Sequence, residues 1–596
     1  MNNDNISEKQ TRISGSTLFA EANTENDTTT DLKLTTTRQS TVSQNELEID
    51  ESPAALGQAL FKLNSYNQDE DVELADSATK SNPAGQDQEE FLPLRELLTV
   101  FIGLCLALFM SSLDQTIVSV ALPTIASSFN ALNDIAWVGT AYLLTSTSFQ
   151  PLYGKFSDIF GRKPMMLFAV FVFLLGSLLC GVANSMIMLI VGRAIAGVGG
   201  SGLLSLTMII ISDIVPIRER GKYQGLLGAV FSLSSVLGPL LGGVFTDHVN
   251  WRWCFYINLP LGAVTVVTII FVLRQKSPTG SMTAKLGRID FWGTLTLISS
   301  IVLVLLPLNW GGNTYPWNSG IIIGLFVAGI VMAIVFVLVE LYVAKEPIMP
   351  AAVFKLRNPL AVFVLNFFLG VGFYALIYYL PIYFQVVKGD SATTAGLEML
   401  PFILGLVFCS IISGGIVSAF GKYRIFIWVG TAVVTLGAGL ISTLTKDSNR
   451  GEQIGYLLIA GLGLGGCMQS TLLAAQAAVQ RDQLATVTSL STFWRTLGGV
   501  FGIAIAGTIF NNALLSNIQE LVQPLTPEVI SAVQDEALIR ALPPAVATLV
   551  IESYVKSLDL AFTVAVPFLG VAFLAGLFIE FKPLIKKGQA PPPIAE

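Results

Sequence analysis

The sequence predicts an all-α polytopic membrane protein with fourteen membrane-spanning helices, and three observations carry that expectation. Of the 596 residues, 53% are hydrophobic and only 13% are charged, about half the charged share of an ordinary soluble domain. No water-soluble core would hide that much apolar surface. The apolar residues gather in runs close to the roughly 20 residues that a helix needs to cross the hydrocarbon core. Lys and Arg collect in alternate connections between those runs, which is the bias that sets topology.

The runs fall at approximately 97–121, 135–154, 164–183, 186–211, 222–245 and 254–273, then 291–308, 320–341, 359–386, 393–419 and 425–444, and finally 453–479, 488–514 and 560–581. They divide the chain into an N-terminal six-helix bundle over 93–275, a linker with two extra helices over 276–356, and a C-terminal six-helix bundle over 357–582. A long outer loop interrupts the last bundle at 515–558, with an amphipathic stretch near 527–539. Arg162 with Lys163, Arg218 to Lys222, Arg274 to Arg288, and Lys586 with Lys587 all fall on one side. An even span count then places both termini in the cytoplasm. Residues 1–92 are rich in Ser, Thr, Asn, Asp and Glu and hold no run that could build a core, so a disordered cytoplasmic tail is expected there. The tail has no apolar segment of signal-peptide type, and 583–596 form a second short tail.

Composition also narrows the function. The five cysteines, Cys105, Cys180, Cys254, Cys409 and Cys467, sit inside apolar runs and read as small core residues. The lone histidine, His248, cannot make a metal site by itself. No cofactor or metal is expected, and no basic patch invites nucleic acid. There is no Gly-x-x-x-x-Gly-Lys-Ser/Thr string for ATP. Gly197-x-Gly199-x-x-Gly202 matches a dinucleotide fingerprint by letters only, because it lies within an apolar span with no strand before it. Energy therefore has to come from an ion gradient, if transport is driven at all.

An internal repeat points to the architecture. Gly154-Lys-Phe-Ser-Asp158-Ile-Phe-Gly161-Arg162-Lys163 follows the second span, and Gly414-Gly-Ile-Val-Ser418-Ala-Phe-Gly421-Lys422 follows the tenth. Both copies keep glycine at the first and eighth positions with a cation after it. Gly197, Gly199 and Gly200 are echoed by Gly463, Gly465 and Gly466. Two similar halves with two helices between them is a design of secondary transporters, in which one half rocks against the other around a midplane site.

These residues also carry a family resemblance covering about 97–581. The Gly154–Lys163 string resembles the signature loop of the major facilitator superfamily. Leu113-Asp114-Gln115-Thr116-Ile117-Val118-Ser119-Val120-Ala121-Leu122-Pro123 resembles the first-span motif of its 14-span drug:proton antiporter branch, with Ser119 where Asn is usual. Trp251-Arg-Trp-Cys-Phe-Tyr-Ile-Asn258-Leu-Pro260 is similar to a second marker of that branch, and Tyr378-Tyr-Leu-Pro381-Ile-Tyr-Phe-Gln385 resembles its fungal toxin and multidrug efflux members. The resemblance implies the major facilitator fold, with two six-helix halves and two inserted central helices.

Several residues become candidates. Asp114, Arg193 and Arg495 lie deep in spans, where an ionised side chain costs roughly 2.5–3.5 kcal/mol on insertion scales and usually marks function. Asp114 reads as a carboxylate that alternately holds and releases a proton, or as a structural anchor. Arg193 resembles the proton-linked arginine of the family, although Ala196 stands where Gln is common. A guanidinium keeps its proton, so Arg193 would tune a carboxylate or only fix packing through an ion pair with Asp114. By resemblance, Gly154, Asp158, Gly161, Arg162 and Lys163 form a conformational latch between the halves. Gly238, Pro239, Gly242 and Gly243 resemble the antiporter motif of the fifth span, and close helix packing explains the same residues. Tyr374, Tyr378 and Gln469 are substrate-cavity candidates, their rings suited to flat or cationic apolar compounds.

The expected function is a proton-coupled antiporter that exports hydrophobic or amphipathic small molecules (drugs, toxins or a secondary metabolite) by alternating access, and not an enzyme. A vacuolar importer of basic amino acids and a non-transporting membrane sensor are the alternatives. The expected partners are a small-molecule substrate, protons and the lipid bilayer, the chain acting as a monomer in the plasma membrane, or in the vacuolar membrane under the first alternative.

Overall fold

The computed structural model describes residues 93–129, 135–273, 278, 280–312, 314–522, 539–540 and 542–584. Of the N-terminal segment it describes four two-residue strands, Arg12–Ile13 paired antiparallel with Ser16–Thr17 and Ala20–Glu21 with Lys33–Leu34. The expected disorder of the tail, most of the amphipathic stretch near 527–539 and the end of the chain lie outside the described residues.

Among the described residues fourteen long helices follow. The first set of six is α1 (Leu94–Phe129), α2 (Ile135–Phe160), α3 (Arg162–Gly181), α4 (Met186–Ile214), α5 (Ile217–His248) and α6 (Trp253–Val272). Then come α7 (Phe291–Trp310) and α8 (Gly320–Tyr342). The second set is α9 (Arg357–Ile382, continued by a π-turn at Tyr383–Lys388), α10 (Thr394–Phe420), α11 (Tyr423–Ile441), α12 (Arg450–Gln476), α13 (Leu484–Leu521) and α14 (Pro544–Leu577). The outer loop expected at 515–558 is shorter than that, because α13 runs on to Leu521 and α14 already begins at Pro544; polar residues such as Asn517, Glu552 and Lys556 broke the apolar runs without ending the helices. Thirteen of them are long and apolar enough to cross a membrane. The exception is α2, which carries Thr145, Ser146, Thr147, Ser148 and Gln150 in its middle. Its Ser146, Thr147, Ser148 and Gln150 are buried in protein, which is where polar side chains are tolerated at membrane depth. At the other extreme, α8 leaves Ile323, Val327, Ile330, Ile334 and Leu341 exposed, the surface a lipid-facing helix presents.

Small residues set the packing inside each set. A Cβ on Gly197 would strike the Tyr142 carbonyl of α2, and one on Gly199 the Phe173 backbone of α3. In the second set, Gly461 meets the Phe402 carbonyl of α10 and Gly463 the Val434 backbone of α11. The structural counterparts of Gly197 and Gly199 are therefore Gly461 and Gly463. Matching the glycine triplets by letter pairs Gly197 with Gly463 and is out by two residues, because closeness of backbones, not the string, defines the equivalent position.

The two sets meet across α2 with α13 and α5 with α10. Gly154 on α2 lies against Ser489, whose Cβ would be 3.0 Å from an added Cβ, and against the Ala485 carbonyl 3.1 Å away. Its repeat counterpart Gly414 on α10 lies against the Gly221 carbonyl of α5. Both repeat glycines thus cross to the opposite half at the end of the bundle that carries Arg162. Gly161 (φ 101°) and Gly421 (φ 75°) hold the left-handed backbone at the two equivalent turns, a conformation that other residues adopt at a cost.

Candidate functional site

The deepest charged pair is built from five helices of the first set. Asp114 on α1 is fully buried and Arg193 on α4 is 2% exposed; Nη1 of Arg193 donates to Oδ2 of Asp114 at 2.5 Å. The other carboxylate oxygen accepts from Nδ2 of Asn258 on α6 at 3.1 Å, and that amide also donates to Ser177 Oγ on α3 at 3.2 Å. Nε of Arg193 donates to the Val138 carbonyl of α2 at 3.1 Å. The guanidinium stacks 4.5 Å from the centroid of the Tyr142 ring. Charge neutralisation together with filled hydrogen-bond positions is what makes such a pair tolerable away from water. Asn258 belongs to the Trp251–Pro260 string, but nothing in the sequence announced its contact with Asp114.

The Gly154–Lys163 string carries a second charged cluster. Arg162 pairs with Asp158 at 2.5 Å and with Asp213, at the end of α4, at 2.7 Å; it also donates to Ser157 Oγ at 2.7 Å. Lys163 Nζ donates to the Ile270 carbonyl of α6 at 2.6 Å. All these partners belong to the first set, so the charges tie one half together, and the contact that crosses between halves here is Gly154. Asp213 was missed because an acid at a helix end reads as ordinary surface. A third tie reaches the same string from outside the set. Glu346, between α8 and α9, accepts from Arg288 at 2.6 Å and pairs with Lys155 at 2.9 Å. The Arg288 hydrogen bond, with Lys155 adding to it, holds the Glu346 carboxyl below the usual carboxylate range.

Hydrogen bonds that join the halves lie at the Arg162 end. Arg218 on α5 donates to the Ser418 and Ala419 carbonyls of α10 at 3.0 and 2.5 Å. Gln476 on α12 donates to Ser212 on α4 at 2.6 Å and to Thr488 on α13 at 3.0 Å, while Gln224 on α5 donates to its oxygen at 3.4 Å. On α5, Gly238 and Gly242 bring the backbone against Thr116 and Ile117 of α1, immediately after Asp114. Pro239 stands within the same helix and Gly243 is half-buried beside it.

Between the halves, at mid-height, is a cavity of about 50 Å³. The first set contributes an apolar wall, including Leu108, Leu204, Met208, Leu227 and Phe231. The second set contributes all the polar side chains, including Asn366, Tyr374, Gln469, Ser491, Thr492 and Arg495, set among Phe373, Leu406, Met468 and Leu472. Tyr374, Gln469 and Arg495 are thus brought together as expected of cavity residues. Tyr378, one helical turn beyond Tyr374, is 48% exposed and lines neither this cavity nor a second one of about 310 Å³ between α2, α7, α9 and α13. Asp114 and Arg193 do not line the central cavity either.

An all-helical bundle of two packed sets, a cavity at their seam and a buried ion pair beside it define a carrier. The family model described as Major Facilitator Superfamily matches residues 104–503. The chain is 37% identical over 535 residues to the MFS-type efflux pump MFS1 of Arthroderma benhamiae, covering 88% of this chain and 99% of that one. It is 39% identical over 435 residues to the rubrofusarin-specific efflux pump aurT of Gibberella zeae, covering 72% of this chain and 80% of the relative. Among solved structures, the human organic anion transporter MFSD10 (TETRAN) superposes with a TM-score of 0.54 at 15% identity, over 81% of this chain and 100% of that one, a likeness of fold. The chain belongs to the major facilitator superfamily. It is a multi-pass membrane transporter, not an enzyme.

Proposed function

We propose that the protein is a proton-coupled antiporter that exports hydrophobic or amphipathic small molecules by alternating access. The observation that carries this reading is the cavity at the seam of the halves, largely apolar but with its polar side chains gathered on the wall of the second half. A site of that kind suits cargo with an oily body and a polar edge. The names of the relatives, both efflux pumps, support the direction of transport. In this reading the bundles over 93–275 and 357–582 are the moving bodies and 276–356 links them; the Gly154–Lys163 string closes the end that faces the cytoplasm together with both termini, Gly154 making the contact between the halves while Gly161 and the charges of Asp158, Arg162 and Lys163 hold the turn of the first half in place. The protein works as a monomer in the plasma membrane.

Asp114 is the proton carrier. Protonation would neutralise the carboxylate and release Arg193 from its partner, changing the contacts of α1 with α4 and, through Gly238, Pro239, Gly242 and Gly243, of α1 with α5. A guanidinium stays charged throughout, so the switch lies with the acid. The basic amino-acid alternative fits less well, since the central cavity lining contains an arginine and no carboxylate.

The test uses purified protein in vesicles with an imposed pH gradient and an internal pH dye. Lipophilic compounds are expected to elicit proton flux that Asp114→Asn abolishes in protein that still inserts and folds. Normal coupled flux in that variant would remove Asp114 from the mechanism, and flux elicited only by arginine or lysine would replace export with amino-acid import.

A further inference from the structure

Three arginines inside the bundles, Arg193 buried and Arg162 and Arg495 half-buried, are not equivalent. Arg162 is held by Asp158 and Asp213, and Arg193 by Asp114. Arg495, eleven residues into α13 from Leu484, has no ion pair and no hydrogen bond among the described residues, yet its side chain lines the central cavity. A guanidinium cannot escape this position by losing its proton. Charged groups at membrane depth find a partner or face a wet pathway for substrate. A cavity of about 50 Å³ has room for a few waters, so water solvates Arg495 when the site is empty. A second group on the same wall is also unfilled. Gln469 is 8% exposed, lines the same cavity, and its amide has no hydrogen-bond partner among the described residues. No aspartate or glutamate joins them there.

We propose that Arg495 and Gln469 form an anion-recognition subsite, and that the compounds this carrier exports are organic anions bearing a carboxylate or an ionised phenol on a flat apolar body. The chemistry follows from the walls. The planar fork of arginine accepts a carboxylate through two parallel charge-assisted hydrogen bonds. The Gln469 amide supplies a further donor, and Tyr374 beside it offers a ring for stacking. Leu108, Met208 and Phe231 on the facing wall cover the apolar body. A cation of similar shape would meet Arg495 as a like charge with no acid to offset it. The proton-carrying pair Asp114–Arg193 lies outside this cavity lining, so cargo and proton do not compete for one carboxylate. This inference rests on the export reading above and narrows it to a charge class.

The experiment measures equilibrium binding to the purified full-length protein of three compounds of one shape: naphthalene-2-carboxylate, its methyl ester and the 2-naphthyltrimethylammonium ion. The carboxylate is expected to bind at least about tenfold tighter than either of the others, the scale of one good bidentate contact. Arg495→Gln is expected to erase that preference while ester affinity changes by less than about threefold, and Arg495→Lys to retain part of it, since lysine keeps the charge and loses the fork. A general packing defect would weaken all three compounds alike and leave the ratio intact. Should Arg495→Gln fail to fold, the wild-type ranking and Arg495→Lys still decide the question. Ester or ammonium ion binding as tightly as the carboxylate overturns the anion subsite and leaves export of lipophilic compounds standing. Failure of all three to bind the wild type overturns both readings together.

Discussion

Asp114 and Arg193 are 79 residues apart in the chain and 2.5 Å apart at Oδ2 and Nη1, in contact with Val138 and Tyr142 on α2 and with Asn258 on α6, which in turn donates to Ser177 on α3. The pair is at once the proton site of the function proposed above and a structural joint of five helices. Those two roles are separable by experiment. Removing one partner of a buried ion pair leaves the other uncompensated and typically costs about 3–5 kcal/mol. Asp114→Ala and Arg193→Met should each lower the thermal unfolding midpoint in detergent, and the double variant should lose less than the sum of the two. Strict additivity would mean that the pair is not a structural unit.

The contact of Gly414 with the Gly221 carbonyl leaves no room for a side chain. Gly414→Val is therefore expected to force α10 from α5 and open the Arg162 end. Spin labels placed on either side of that end should report a longer mean distance, and transport should fall by at least about tenfold if closure of this end is an obligatory step. An unchanged distance distribution would show that the helices slide and keep the end shut.

Arg218 holds the same end by donating to two carbonyls on α10, 200 and 201 residues away. Hydrogen bonds to a charged group contribute roughly 1.5–3 kcal/mol each, and water recovers part of this when the end opens. Arg218→Ala should raise the open population enough for a thiol reagent to label Ser418→Cys, in a background without the native cysteines, about tenfold faster than with Arg218 present. Equal labelling rates would mean that Arg218 contributes nothing to closure.

Glu346 yields a pH dependence with a defined sign. Arg288, with Lys155, lowers its folded-state value below the ordinary 4.5. A depressed acid contributes stability that is fully present above the ordinary value and is lost as pH falls through the folded one. Glu346→Gln should therefore unfold at a lower temperature than the wild type at pH 7, and the gap should close as the pH falls below about 4.5. The gap itself is small, because an ion pair of this exposure is worth about 1 kcal/mol or less. A gap that persists at pH 3 would assign the effect to packing.

Much of the fold was legible in the sequence because membrane insertion is written in local composition. Run length, Lys/Arg placement and the repeated Gly-x₆-Gly-cation string are one-dimensional signals, and each corresponds to a span, a connection or a turn in the structure. The run at 135–154, counted with the other apolar runs, is the one whose helix, α2, is too polar to pass as a membrane helix by composition. The deep charges Asp114, Arg193 and Arg495 were visible for the same reason, since an ionised residue inside an apolar run stands out. Asp213, Asn258, Arg218 and Glu346 were not, because a polar residue near a helix end looks the same whether it faces water or a partner.

By itself, then, the sequence determined how many helices there are, roughly where each lies, and which few side chains carry charge inside apolar runs, while ends such as the start of α14 at Pro544, well before the apolar run at 560–581, came from the structure. Only the tertiary structure decided which of those charges are satisfied. Arg193 and Arg495 are the same residue type and both lie inside apolar runs, yet one is locked to Asp114 while the other faces a cavity. The difference arises from which helices adjoin α4 and α13. Ion pairs and hydrogen bonds act over a few ångströms in space, and those neighbours come from segments tens to hundreds of residues away.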